Sequence, residues 1–128
     1  MSAQHDWLYD ATLVRVVDGD TVDLEVDLGF RISARIRCRL KGVDCPERGQ
    51  PKWDLARDRV HALLAGRRFL VGTELDAKDK YGRVLATIWP MGEERSVNRI
   101  LVDEDLGQAI DAVGLVTTAA NGSWLRIA

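Results

Sequence analysis

The sequence predicts a β-rich α+β domain, a five-stranded barrel with two or three helices. Three observations carry that expectation. Two successive segments alternate apolar and charged residues, the pattern of strands with one buried and one wet face. A single helical periodicity separates the third extended segment from the fourth. The 128 residues hold no repeat, linker or low-complexity tract, so residues 1–128 are read as one domain with one core.

The first segment, Trp7 to Val17, is rich in β-formers and stops at the turn-prone Asp18-Gly19. The second places Val22, Leu24, Val26 and Leu28 on one face and Thr21, Asp23, Glu25 and Asp27 on the other. In the third, Ile32, Ala34, Ile36, Cys38 and Leu40 oppose Arg31, Ser33, Arg35, Arg37 and Arg39. Gly29-Phe30 is the expected hairpin turn between them. Same-face pairing then sets Asp27 near Arg31, and Asp23 near Arg35 or Arg37. It also brings Arg39 opposite the turn at Asp18 to Thr21. Asp44 and Glu47 follow Arg39 closely, so one pocket is expected at one end of the sheet. Arg31, Arg35 and Arg37 read as a cross-strand charge ladder, which stabilises a hairpin modestly.

Pro51 to Ala65 predicts a helix, with Trp53, Ala56, Val60, Leu63 and Leu64 inward and Gly66 as the stop. Arg67 and Arg68 follow, favourably placed for the helix dipole. Arg68 to Ala77 and Val84 to Trp89 read as strands joined by a polar turn. Ser96 is expected to cap a short helix that faces inward with Val97, Ile100 and Leu101. The tail from Asp111 to Ala128 is atypical and gives weak signals. Five strands with a helix between the third and fourth suggest a closed barrel of the OB-fold type.

Composition narrows the functional classes. A net charge of −2 argues against a general nucleic-acid coating protein, though not against a local basic patch. Cys38 and Cys45 are the only cysteines, which argues against a disulfide framework or a cysteine-based zinc site. The first residues lack the regions of a signal peptide and no run reaches membrane-spanning length, so a cytoplasmic protein with no membrane partner is expected. His5 and His61 read as bystanders. Trp7, Trp53, Trp89 and Trp124 read mostly as core.

Four stretches combine acids able to hold a hard cation with guanidiniums able to hold a phosphate. They are Asp18-Gly19-Asp20-Thr21, Arg39, Asp44-Cys45-Pro46-Glu47 and Asp79-Lys80-Tyr81-Gly82-Arg83. With Ser96-Val97-Asn98, they resemble in order the thermonuclease, or staphylococcal-nuclease-like, family over about residues 8 to 110. Members of that family are OB-fold, calcium-dependent nucleases of little sequence preference that cut DNA or RNA to leave 3′-phosphate ends. The resemblance implies that Asp20, Asp44 and the backbone carbonyl of Cys45 hold one Ca2+, with Asp18 in support. Glu47 would orient or deprotonate the attacking water. Arg39 and Arg83 would hold the phosphate, and Lys80 and Tyr81 would contact the substrate's end. Calcium suits carboxylate and carbonyl oxygens, and guanidinium forks match phosphate oxygens.

The sequence departs from the family at three places. Cys45 stands where threonine is usual. Asp111 and Val113 stand near positions where the secreted enzymes carry tyrosines, which touches nucleotide stacking more than chemistry. The long C-terminal helix has no counterpart in Thr117 to Ser123, so either a monomer with a differently sealed barrel or a homodimer through the tail is expected. The favoured function is a nuclease acting on DNA and/or RNA. The alternative is an OB-fold module that holds single strands without cutting them, and a reader of modified peptides is a remote third. Removal of Asp20 is expected to relieve acid crowding and so to leave stability unchanged or raised.

Overall fold

The computed structural model describes residues 8–75 and 84–110. Five strands close a barrel: β1 (Leu8–Asp18), β2 (Thr21–Gly29), β3 (Ile32–Leu40), β5 (Phe69–Leu75) and β6 (Val84–Pro90), in the order β1-β2-β3-β6-β5. Between β3 and β5 come the short β4 (Val43–Asp44) and α1 (Trp53–Leu64); after β6 come α2 (Val97–Asp103) and the short β7 (Gln108–Ala109). This is the expected OB-type barrel, and it has two helices among the described residues. None of those helices is long and apolar enough to cross a membrane.

Strand β1 serves two neighbours. Leu8 to Ala11 pair with β5, and Ala11 to Asp18 pair with β2 through register shifts at Leu13/Arg15 and Val16/Asp18. Such irregularities bend a strand and raise its twist, which lets one strand turn the corner of a small barrel. Closure comes from β3 and β6, which pair in parallel at Cys38↔Val84, Arg39↔Leu85 and Leu40↔Ala86. The alternation read in the sequence fills the interior: Val22, Leu24, Val26, Cys38 and Leu40 are buried with Phe69, Val71, Ala86 and Ile88. Leu28 and Ile32 continue the pattern but are 46% and 56% exposed, because that end of the hairpin extends past the core.

The hairpin turn lies one residue later than Gly29-Phe30. Gly29 pairs with Ile32, so Phe30 and Arg31 form the turn. The register differs accordingly at that end: Asp27 faces Ser33, not Arg31. Towards the other end it matches the expectation, with Asp23↔Arg37, Glu25↔Arg35 and Thr21↔Arg39. Arg37 grips Asp23 through two bonds of 2.7 and 3.0 Å, and Arg35 reaches Glu25 at 3.3 Å. The Arg37 guanidinium holds the Asp23 carboxyl below its usual range.

Helix α1 buries Ala56, Val60, Leu63 and Leu64, while Trp53 is only half-buried. Its start has no side-chain cap; Lys52 adopts a left-handed conformation there, with φ 71°. Ser96 caps α2 as expected, accepting a hydrogen bond from the Arg99 backbone N–H at 3.0 Å. Asn98 pins α2 to the barrel. Its amide nitrogen donates to the carbonyls of Lys41 and Ala86 at 2.8 and 3.0 Å, and its oxygen accepts from the Ile88 N–H at 3.2 Å. A bidentate Arg59–Glu104 pair joins the two helices.

Strands β4 and β7 were not evident in the sequence. They pair antiparallel at Val43↔Ala109 and Asp44↔Gln108, so the segment after α2 braces the segment that carries Asp44. The join is tight at Gly107, where a Cβ would come within 2.6 Å of Val43 Cγ2 and 3.0 Å of Cys45 Sγ. Both neighbours are buried core. Gly107→Ala is therefore expected to destabilise the fold by about 1 to 3 kcal/mol, the usual range for overpacking a filled site. Chemical denaturation of the two proteins measures it, and equal midpoints would refute the stated contact.

Candidate active site

The site lies at the end of the barrel where the β1–β2 turn meets the end of β3 and the segment through β4. Strand pairing delivers Arg39 to Thr21, and the ladder continues one step as the Leu40 N–H donates to the Asp20 carbonyl at 2.8 Å. Asp20 is buried, 7% exposed, and both of its carboxylate oxygens have partners. One oxygen accepts the Cys45 backbone N–H at 2.9 Å and meets Arg39 Nη1 at 3.0 Å; the other accepts from the Thr21 hydroxyl at 3.2 Å. Arg39 also donates from Nη1 to the Val43 carbonyl at 3.3 Å and from Nη2 to Asp44 at 3.4 Å. One guanidinium thus spans two carboxylates that arrive from different parts of the chain.

Acid crowding does not describe Asp20. Its neighbours are a backbone donor, a hydroxyl and a cation. The stated reason for expecting its removal to be neutral or stabilising therefore does not hold, and a loss of stability is expected instead.

The other acids stand differently. Asp18 accepts a 2.8 Å hydrogen bond from the indole N–H of Trp53. Sequence reasoning placed Trp53 in the core and missed this contact; an indole at the first turn of a helix needs a partner for its N–H, which was the available signal. Arg48 and Arg57 lie over the same ring, 5.0 and 4.5 Å from its centre. Asp44 is more than half exposed, and Glu47 is exposed, with its backbone N–H donating to the Gln50 side chain at 2.7 Å. Beside them opens a cleft of about 430 Å³ lined by Asp44, Cys45, Pro46, Leu106, Gly107 and Gln108. Lys52 and Asp105 also line it and pair at 3.0 Å.

Cys45 is buried, 4% exposed, and burial together with the Asp20 charge pushes its thiol far above the usual range. It is a packed sulfur against Gly19 and Gly107, not a nucleophile. Burial likewise pushes Cys38 up to about 12. Gly19 is required by the same packing, since a Cβ there would lie 2.8 Å from Ala56 Cβ.

The structure therefore brings together Asp20, Arg39, Asp44 and Cys45, with Asp18 and Glu47 on flanking segments. Arg83, Lys80 and Tyr81 fall outside the described residues, as does the tail from 111 to 128. Among the described residues no group of three or more His, Cys, Asp and Glu side chains is gathered for a metal. The donors expected for calcium are two carboxylates and a carbonyl, so a three-side-chain cluster is not required. Their chemistry fits a hard cation, with Asp20 rigidly held and Asp44 open to solvent.

The fold is thus an OB barrel that gathers two acids and an arginine at one end. More than half of the chain, residues 37–120, matches the family described as staphylococcal nuclease homologue, and the chain belongs to that family. It is 35% identical over 122 residues to Protein ParB of Escherichia coli, covering 90% of this chain and 63% of the relative. It is also 35% identical over 114 residues to the micrococcal nuclease of Shigella flexneri, covering 84% of this chain and 62% of the relative. A thermonuclease of Staphylococcus intermedius is 35% identical over 101 residues, covering 74% of this chain and 56% of the relative. The chain thus spans about three-fifths of the length of these relatives.

Proposed function

We propose that this chain is a calcium-dependent nuclease that hydrolyses phosphodiester bonds of DNA and/or RNA, with little sequence preference, to 3′-phosphate products. The observation that supports it most is the Asp20–Arg39–Asp44 arrangement at the barrel end, in a chain whose family relatives include proteins named micrococcal nuclease and thermonuclease.

Arg39 is the residue that grips the phosphate. A guanidinium offers five N–H donors, and the bonds to Asp20, Val43 and Asp44 leave others for phosphate oxygens. Those bonds also fix where the fork stands before substrate arrives, which is how a preorganised donor lowers a barrier. Arg83 is proposed as the second fork, and Lys80 and Tyr81 as contacts to the neighbouring phosphate or sugar. Asp20 and Asp44, with the Cys45 carbonyl, are proposed to hold the calcium ion. Bound there, the ion supplies charge neutralisation at the scissile phosphate and a lowered pKa for water. Glu47 orients or deprotonates the attacking water; its exposure leaves the side chain free to reach it.

Incubation of the protein with single-stranded DNA and RNA tests the reading. Calcium should support cleavage, chelator should abolish it, and end-group analysis should find 3′-phosphates. Strand binding without cleavage under every metal condition would instead return the non-cutting OB module.

A further inference from the structure

The far end of the β2–β3 hairpin contradicts ordinary turn chemistry. Phe30 and Arg31 form a two-residue turn with φ of 56° and 62°, following Gly29 at 84°. Such turns favour Asn-Gly, and a bulky residue in the left-handed region is an outlier. Phe30 gains nothing from the fold in return, since it is 96% exposed. Leu28 and Ile32 extend the same apolar tip. Strain and exposure at one aromatic point outward, to something the tip meets.

A second observation says what. Arg35, Arg37 and Arg39 occupy alternate positions of β3 on its outer face, so they stand about 6.6 Å apart, a spacing comparable to the repeat of an extended single strand. Arg39 ends this row at the candidate active site, and Phe30 lies about 30 Å away along the strand. Arg31 makes no ion pair within 4.0 Å among the described residues, although it lines a cleft with Asp10, Glu25, Asp27 and Arg68. Arg35 is 73% exposed and has one bond of 3.3 Å to Glu25. Arg37 gives two donors to Asp23, whose carboxylate balances its charge, and acts as a spacer in the row.

We propose that the outer face of this hairpin is a track for single-stranded nucleic acid running from the Arg39 site to the tip, where an unpaired base stacks on Phe30. Arg31 and Arg35 take the phosphates on the way. Guanidinium forks suit phosphate, only an unpaired strand offers a base face to an exposed ring, and this face of an OB fold is one on which oligonucleotides lie. The track deepens the nuclease reading, on which it rests only for what happens at the Arg39 end.

The test uses the double substitution Phe30→Asn with Arg31→Gly, which gives the turn its favoured residues. Binding is read in chelator by fluorescence anisotropy, with labelled strands of about 16 and about 4 nucleotides, the limits of an OB-fold site. The variant should melt higher than the parent, bind the long strand at least about tenfold more weakly, since it loses a stacked base and the Arg31 phosphate contact together, and bind the short strand unchanged. Phe30→Tyr, which keeps the ring, should bind the long strand as the parent does. Unchanged long-strand affinity in the folded double variant overturns the track. So does a parent that self-associates through the tip in light scattering and loses that association, rather than strand affinity, in the variant. Because the measurement needs no cleavage, a protein that binds along the tip yet never cuts refutes the nuclease reading alone.

Discussion

Arg39→Lys is expected to fold as the parent does and to lose about a hundred- to a thousandfold of phosphodiesterase turnover, the effect of removing one preorganised donor. The lysine can still neutralise the two acids that flank it, because an ammonium near Asp20 and Asp44 satisfies the same charge balance. It cannot reproduce the fork. Arg39 uses separate nitrogens for Asp20 and Asp44 and is held at a fixed angle by the Val43 carbonyl. A single ammonium must choose among those partners and has no planar pair of donors left for a phosphate. Circular dichroism and thermal melting establish that the variant is folded, and single-turnover cleavage with saturating calcium then measures the loss. Cleavage at the parental rate would remove Arg39 from phosphate recognition.

The position of Arg39 was legible in the sequence because two independent patterns agree there. Period-two alternation assigns the outer faces of β2 and β3, and the hairpin then forces Arg39 beside the Asp18 to Thr21 turn. A turn displaced by one residue left that end intact, since the irregularity between Asp27 and Gly29 absorbs the shift. The turn itself was misplaced because Gly29 looked like the natural corner, whereas Phe30 and Arg31 are poor candidates for positive φ. Strands β4 and β7 were not legible. Two residues have no period, and their partner lies some 65 positions away, so nothing local marks them. The parallel β3–β6 seam escaped for the same reason, since it depends on closure of the barrel; for Trp53, the residue type showed that its indole N–H needs a partner but not that Asp18 supplies it. The engagement of Asp20 escaped too, because its principal partner is a backbone N–H, which no residue type reveals.

That engagement reverses the stability expected of an Asp20 variant. Asp20→Ala should lower stability by about 2 to 3 kcal/mol and abolish calcium binding. Three groups lose their partner at once: the Cys45 N–H, the Thr21 hydroxyl and one arm of Arg39. The first lies in the buried segment beside Gly19 and Gly107, where water has little room to replace a carboxylate. Asp20→Asn separates the two roles. Its amide oxygen can still accept from Cys45, but its NH2 group faces a cation and it carries no charge for a metal. It should therefore recover part of the lost stability while calcium binding stays absent. Denaturant unfolding in chelator gives the first quantity and calorimetric calcium titration the second. An alanine variant as stable as the parent would mean that the carboxylate does not brace the Cys45 segment. A normal calcium isotherm from either variant would take Asp20 out of the metal site.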